Sequence, residues 1–254
     1  MAIISDDVSA SDAPDDDGSR RGQMSLIEHL TELRRRLIVS AIAVAVGAIV
    51  CFIFYNFILN LLIGPYEHVT GKHQLQVLDP LEAFATRLKI ATFGGIFIAS
   101  PVVLWELWRF ITPGLHPKEK RYAVPFIIAS ILLFLFGVFV AMQTFDPALR
   151  FLTGVGGSDL SPNFTASKYL SFILLMFVAF GIAFEFPIVL VALELAGVLT
   201  SQRLRKWRRP AIVVIVFIAA VITPSQDPYS LFFMSVPMYL FYEGSILIGR
   251  LLKK

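Results

Sequence analysis

The chain has 254 residues, 56% of them apolar, and a mean hydropathy of +0.72. Soluble domains sit near about 45–50% apolar, so this composition excludes an ordinary globular protein and calls for a bilayer. The net charge of +3 acquires meaning only from its distribution, and a single cysteine, Cys51, excludes an intrachain disulfide.

Residues 1–23 carry Asp6, Asp7, Asp12, Asp15, Asp16 and Asp17 and almost no apolar periodicity. Such a stretch cannot offset its ordering entropy by burial, which predicts a disordered acidic tail. It lacks the positive start and apolar core of a secretory signal and the acid-poor character of a transit peptide. Met24 is a candidate start, and residues 24–254 read as one membrane domain.

Over residues 24–37, Ser25 and Glu28 have the spacing of a capping box. Leu26, Leu30, Leu33 and Leu37 recur at helical spacing, which predicts an amphipathic helix at the membrane surface. Its polar face carries Glu28, His29, Glu32, Arg34 and Arg35.

The first span is predicted over 37–54 with an extension to 63, ended by Gly64-Pro65. After a polar loop, Asp79-Pro80 supplies the cap and first turn of a second span over 81–107, with Pro101 as a kink. A charged connection, WELWRFITPGLHPKEKR (105–121), leads to a third span over 122–145. Asp146-Pro147 is expected to cap a short helix before a turn-rich external segment. The fourth span is predicted over 169–195, and a basic loop covers 197–209. The fifth, 210–222, spans only about 20 Å at 1.5 Å per residue, so the bilayer must thin around it. A turn at 223–228 precedes the sixth span, 229–248. Of 22 basic residues, 17 fall on one side of this arrangement. The positive-inside rule makes that side cytoplasmic, with both termini inside.

The connection between spans two and three is unlike a floppy tether. It holds the Pro113-Gly114 turn, a second breaker at Pro117, and one carboxylate, Glu119, among Lys118, Lys120 and Arg121. Glu185 stands apart as a deep acid, about 24 Å along the fourth span from Tyr169. A charge there costs at least about 2.5–3.5 kcal/mol if it faces lipid, so it is expected to face a wet cavity or a polar partner. Glu106, Glu194 and Glu243 lie nearer the cytoplasmic helix ends and read as surface acids.

Four stretches, HLTELRRRL (29–37), WRFITPGLHPKEKR (108–121), FGIAFEFP (180–187) and a Thr-Pro turn with an Asp after it (Thr223, Pro224, Asp227), closely resemble the TatC family. That family supplies the polytopic subunit of the twin-arginine protein translocase. The likeness runs in order from residue 24 to the end. It implies an all-α fold of six transmembrane helices, N-in and C-in, cupped like a glove, with helices five and six short. It implies a receptor in the prokaryotic cytoplasmic membrane that binds the twin-arginine signal peptide of a folded precursor. With TatA- and TatB-like single-span subunits, and copies of itself, such a receptor enables export driven by the proton-motive force. The implied signal-binding residues are Glu32 and Glu119, with Leu33, Arg34, Phe110, Pro113 and Arg121 around them. Glu185 matches an acid on the concave face, and Thr223, Asp227 and Leu231 mark the docking turn for a single-span partner. At Leu231 some members carry a polar residue, and the turn here is one residue longer. Physical chemistry agrees with the pairing of two acids. Arginine presents a planar fork that meets a carboxylate bidentately, whereas one exposed pair contributes only about 0–1 kcal/mol.

The likeness implies no covalent chemistry, cofactor, metal or nucleic acid. As rivals, a secondary transporter would show matched halves with midplane charges, and Glu185 is the single deep acid. A membrane enzyme would want clustered nucleophiles or ligands, but His29, His68, His73 and His116 all fall outside the spans.

Overall fold

The computed structural model describes residues 26–72, 74–111, 123–155, 164–225 and 227–252, and within them the chain is helical apart from one isolated bridge. In chain order the helices are α1 (Leu26–Ile53), α2 (Tyr55–Thr70), α3 (Pro80–Ile111), α4 (Ala123–Val155), α5 (Ala166–Ala183), α6 (Phe186–Leu195), α7 (Ser201–Lys206), α8 (Arg208–Ile222) and α9 (Pro228–Leu252). Five runs are long and apolar enough to cross a membrane: Ile27–Ile53, Pro80–Ile111, Val124–Val155, Ala166–Leu195 and Pro228–Leu251. The expected fifth span, α8, is shorter, with 15 residues and a length of about 22 Å. Leu, Ile, Val and Phe on the outward faces of the long helices are exposed, while the buried residues collect around α5.

Several boundaries differ from those read off the sequence. The expected surface helix is no separate element: residues 26–53 form one continuous helix that carries the polar face straight into the first span. The break comes at Phe54 rather than at Gly64-Pro65, and α2 continues through Pro65 to Thr70, where Gly71 closes it in the left-handed conformation at φ 67°. Asp146-Pro147 caps nothing, because α4 runs through both. Phe145, Ala148 and Leu149 there are buried in the core, and Phe145 meets Tyr169 edge-on at 5.7 Å. Packing on both sides of Pro147 outweighs the one backbone bond it removes.

Other local signals behave as their chemistry dictates. Asp79 Oδ1 accepts the Leu81 N–H at 2.7 Å with Pro80 as first helical residue. Across the end opposite the basic loops, Gln76 and Thr165 form a parallel bridge, and Glu82 Oε1 accepts the Ser167 N–H at 2.9 Å. Lys89 Nζ donates to the Ser167 and Ser171 hydroxyls at 3.1 and 2.5 Å. Arg87 stacks over Phe52 at 4.3 Å and donates to the Phe52 carbonyl, which secures the joint between α1 and α2.

The α1–α3 pair rests on glycine. A Cβ at Gly95 would lie 2.6 Å from the Ala48 nitrogen, and one at Gly47 would lie 2.8 Å from the Gly95 carbonyl oxygen. The two backbones therefore approach as closely as small residues permit in membranes. This contact sets the register between the polar ends of the two helices.

Candidate functional site

At the basic end of that pair, the first turns of α1 meet the last turns of α3. Glu32 and Arg36 are one turn apart on α1, and Glu106 faces them from α3. Arg36 donates from Nε to Glu32 Oε1 at 3.0 Å, again from Nη2 to the same oxygen, and from Nη1 to Glu106 Oε2 at 2.9 Å. The three side chains are 21%, 14% and 15% exposed respectively, so the cluster is largely shielded yet open to one side. They line a cavity of about 140 Å³ together with Arg35, Val39 and Arg109. Four residues past Glu106, Phe110 stacks on His29 of α1 at a centroid distance of 4.3 Å. Two side-chain contacts thus clamp the helix ends together.

The structure places Glu32 and Phe110 in this patch, with Leu33 and Arg34 on the exposed face of the same α1 turn. Pro113, Glu119 and Arg121 lie outside the described residues. Sequence reasoning missed Glu106 as a member. Its signal was the charge itself: a carboxylate one turn before Phe110, in a helix end whose other charged residue is Arg109.

Glu185 sits where α5 gives way to α6. Pro187 has no N–H to offer the Ala183 carbonyl, so the helix is interrupted here between α5 and α6, within the one run, Ala166–Leu195, that matches the expected fourth span. The carboxylate is half-buried, and its Oε2 accepts the Ser130 hydroxyl at 2.6 Å. Ser130 in turn accepts the Trp108 Nε1–H at 2.6 Å. The polar partner expected for Glu185 is therefore a serine on α4. Oε1 of Glu185 is shielded and accepts no hydrogen bond.

The turn expected to dock a partner is built from inside. Thr223, 2% exposed, donates its hydroxyl to the Ala219 carbonyl at 2.6 Å. Asp227, 1% exposed, caps α9 by accepting the Ser230 N–H at 2.8 Å, with Pro228 next in line. Both residues shape the turn rather than offer a surface, and Leu231 is half-buried. The surface on offer is a shallow apolar groove of about 210 Å³ between α8 and α9, lined by Ile212, Val216, Val236 and Leu240 among others.

Two acids read as superficial are placed otherwise. Glu194 on α6 is fully buried, with its carboxylate against Gly249 of α9, where a Cβ would come 1.8 Å from Oε2. Only the missing side chain leaves room for it. Glu243 is half-buried and pairs with Arg208 at 2.5 Å while accepting the Tyr239 hydroxyl at 3.2 Å. Among the described residues no group of three or more His, Cys, Asp or Glu side chains could hold a metal ion.

Residues 28–237 match the family model described as Sec-independent protein translocase protein (TatC). The chain is 42% identical over 231 residues to the Sec-independent protein translocase protein TatC of Aquifex aeolicus, covering 90% of this chain and 95% of that one. The TatC protein of Carboxydothermus hydrogenoformans is 38% identical over 231 residues, with 91% and 94% covered. That of Frankia casuarinae is 39% identical over 241 residues, with 90% and 66% covered. Among solved structures, a crystal structure of the twin-arginine translocase receptor TatC is 40% identical and superposes with a TM-score of 0.73, covering 89% of this chain and all of that one.

Proposed function

Since this chain belongs to the TatC family of Sec-independent protein translocase proteins, we propose that it is the core receptor of a twin-arginine translocase. It binds the signal peptide of a folded precursor and, with single-span partners of the TatA and TatB kind, moves that precursor across the membrane. It transports and performs no covalent chemistry. It crosses the cytoplasmic membrane of a prokaryote six times, with α8 as the short fifth span and both termini inside, and it self-associates in the receptor complex.

The observation that carries the reading is Glu32. Its carboxylate is largely shielded, held at a lined cavity on the basic face, and already engaged by a guanidinium of the chain itself. A site that accepts one guanidinium has the chemistry to accept another. Glu119 is the second carboxylate, and Leu33, Arg34, Phe110, Pro113 and Arg121 complete the patch. The surrounding cations disfavour stray cations. Glu185 serves the concave face, and the α8–α9 groove with the turn at Thr223, Asp227 and Leu231 docks a single-span partner.

The test is binding of a synthetic peptide with an adjacent arginine pair to the full chain, against the same peptide carrying two lysines. Selective binding of the arginine form is expected. Equal binding of the two forms would overturn the reading.

A further inference from the structure

Two cations at the basic end of the α1–α3 pair are left over. Arg36 lies between Glu32 and Glu106 and donates to both carboxylates, so one guanidinium serves both acids of the cavity. Arg35 and Arg109 line the same cavity from the two helices. Both are exposed, and among the described residues neither pairs with a carboxylate. Three arginines against two glutamates leave the cavity with one positive charge in excess. Each of the two spare arginines also ends an apolar face. On α1, Arg35 is followed at helical spacing by Val39, Ile42 and Val46; on α3, Arg109 is preceded at the same spacing by Trp105, Val102 and Ile98. All six of these apolar side chains are exposed. Arg36 is level with Glu106 and Gly47 with Gly95, so the helices run antiparallel and both arginines stand at one end of the two faces.

We propose that this is a phospholipid site: Arg35 and Arg109 bind the phosphate of an anionic phospholipid whose acyl chains lie along the exposed faces of α1 and α3. A guanidinium meets two phosphate oxygens with parallel N–H donors, and a basic pocket between transmembrane helices suits an anionic headgroup. The apolar faces favour a lipid over a free phosphate, because a soluble anion has no use for the surface below the arginines. The excess charge favours an anionic over a zwitterionic headgroup, because a choline beside the phosphate brings a cation back to a cavity that already holds one too many. Both arginines are exposed where the acids are shielded, so the lipid binds without opening the helix ends. The inference stands apart from signal-peptide binding and needs neither Glu32 nor Glu119 as a signal contact.

The experiment uses the full chain in detergent and native mass spectrometry, which resolves bound lipids, with phosphatidylglycerol or phosphatidylcholine of the same acyl chains. Phosphatidylglycerol is expected to bind about tenfold tighter, the preference that two partly screened arginines at a membrane surface supply. Arg35→Gln together with Arg109→Gln is expected to remove that preference and leave phosphatidylcholine binding unchanged. Arg203→Gln together with Arg205→Gln takes two charges from exposed positions on α7 and is expected to change neither. Excess glycerol phosphate is expected to leave the lipid bound. Equal binding of the two lipids by the unaltered chain overturns the proposal. So does a preference that survives the loss of Arg35 and Arg109, and so does an equal loss in the α7 variant, which marks net charge rather than a site. Weaker binding of both lipids after the Arg35 and Arg109 changes marks a disturbed helix end and also overturns it. Displacement by glycerol phosphate makes this a site for soluble anions and sinks the lipid assignment.

Discussion

Ser130 donates its only hydroxyl proton to Glu185 Oε2, 2.6 Å away. The Trp108 indole, a group that can only donate, occupies one of the serine's two lone pairs, so the proton is left for the carboxylate. One small residue on α4 therefore satisfies both a deep acid at the α5–α6 break and an aromatic at the end of α3. Ser130→Ala is expected to lower stability by about 1–2 kcal/mol, the upper range for interhelical hydrogen bonds in membranes. Thermal unfolding in detergent reads this, and Ser130→Thr, which keeps the hydroxyl, is expected to lose less.

Backbone proximity makes a second prediction. Gly95→Ala forces a methyl against the backbone of α1 and is expected to cost roughly 1–3 kcal/mol. Gly64→Ala on α2 is the control, since nothing lies within 4 Å of its added Cβ. There the change is expected to be neutral or stabilising by up to about 1 kcal/mol. A comparable loss of thermal stability in both variants would contradict the close α1–α3 contact.

For the arginine-reading pair, Glu119→Ala is expected to abolish crosslinking of a twin-arginine peptide while the protein still inserts. Glu32→Ala is expected to weaken it, and the double variant to lose less than the sum, because one rigid arginine pair spans both acids. Glu28→Ala is expected to do much less. Crosslinking is expected to fall with added salt as surface contacts are screened.

Partner docking has a pattern that burial dictates. Ile212 and Val216 are exposed and line the α8–α9 groove, whereas Ala219 of the same helix faces inward. Cysteines at the first two positions are expected to crosslink to a single-span partner, and a cysteine at the last is not. Native Cys51 is buried and leaves the background low. Crosslinks with no such alternation would place the partner elsewhere.

Topology is checked with reporter fusions. Fusions at Lys118 and Arg205 are expected to report the cytoplasm, and fusions at Lys72 and Gly156 the outside. A cytoplasmic signal at Gly156 would overturn the orientation.

The spans were legible because a bilayer imposes length and apolarity on a helix regardless of partners. The cap at Asp79 was legible because it is satisfied within one turn. What escaped depends on contacts between elements distant in sequence. Pro147 looks like a helix start until Phe145 and Leu149 are seen packed in the core. Glu106 looks superficial until α3 is laid against α1, and Phe54 breaks a helix with no glycine or proline to announce it. The place of Glu32 on the polar face of α1 was legible from its spacing, one turn past Glu28, while its role as a signal-binding acid is what the resemblance implies.

The contact of Glu194 with Gly249 joins the fates of two distant codons. An alanine methyl at 249 would overlap the carboxylate where it stands, so the end of the Glu194 side chain has to swing aside to admit one. A shorter residue at 194 removes the conflict altogether. Among descendants of this sequence, a side chain at 249 is therefore expected more often where the acid at 194 has been lost.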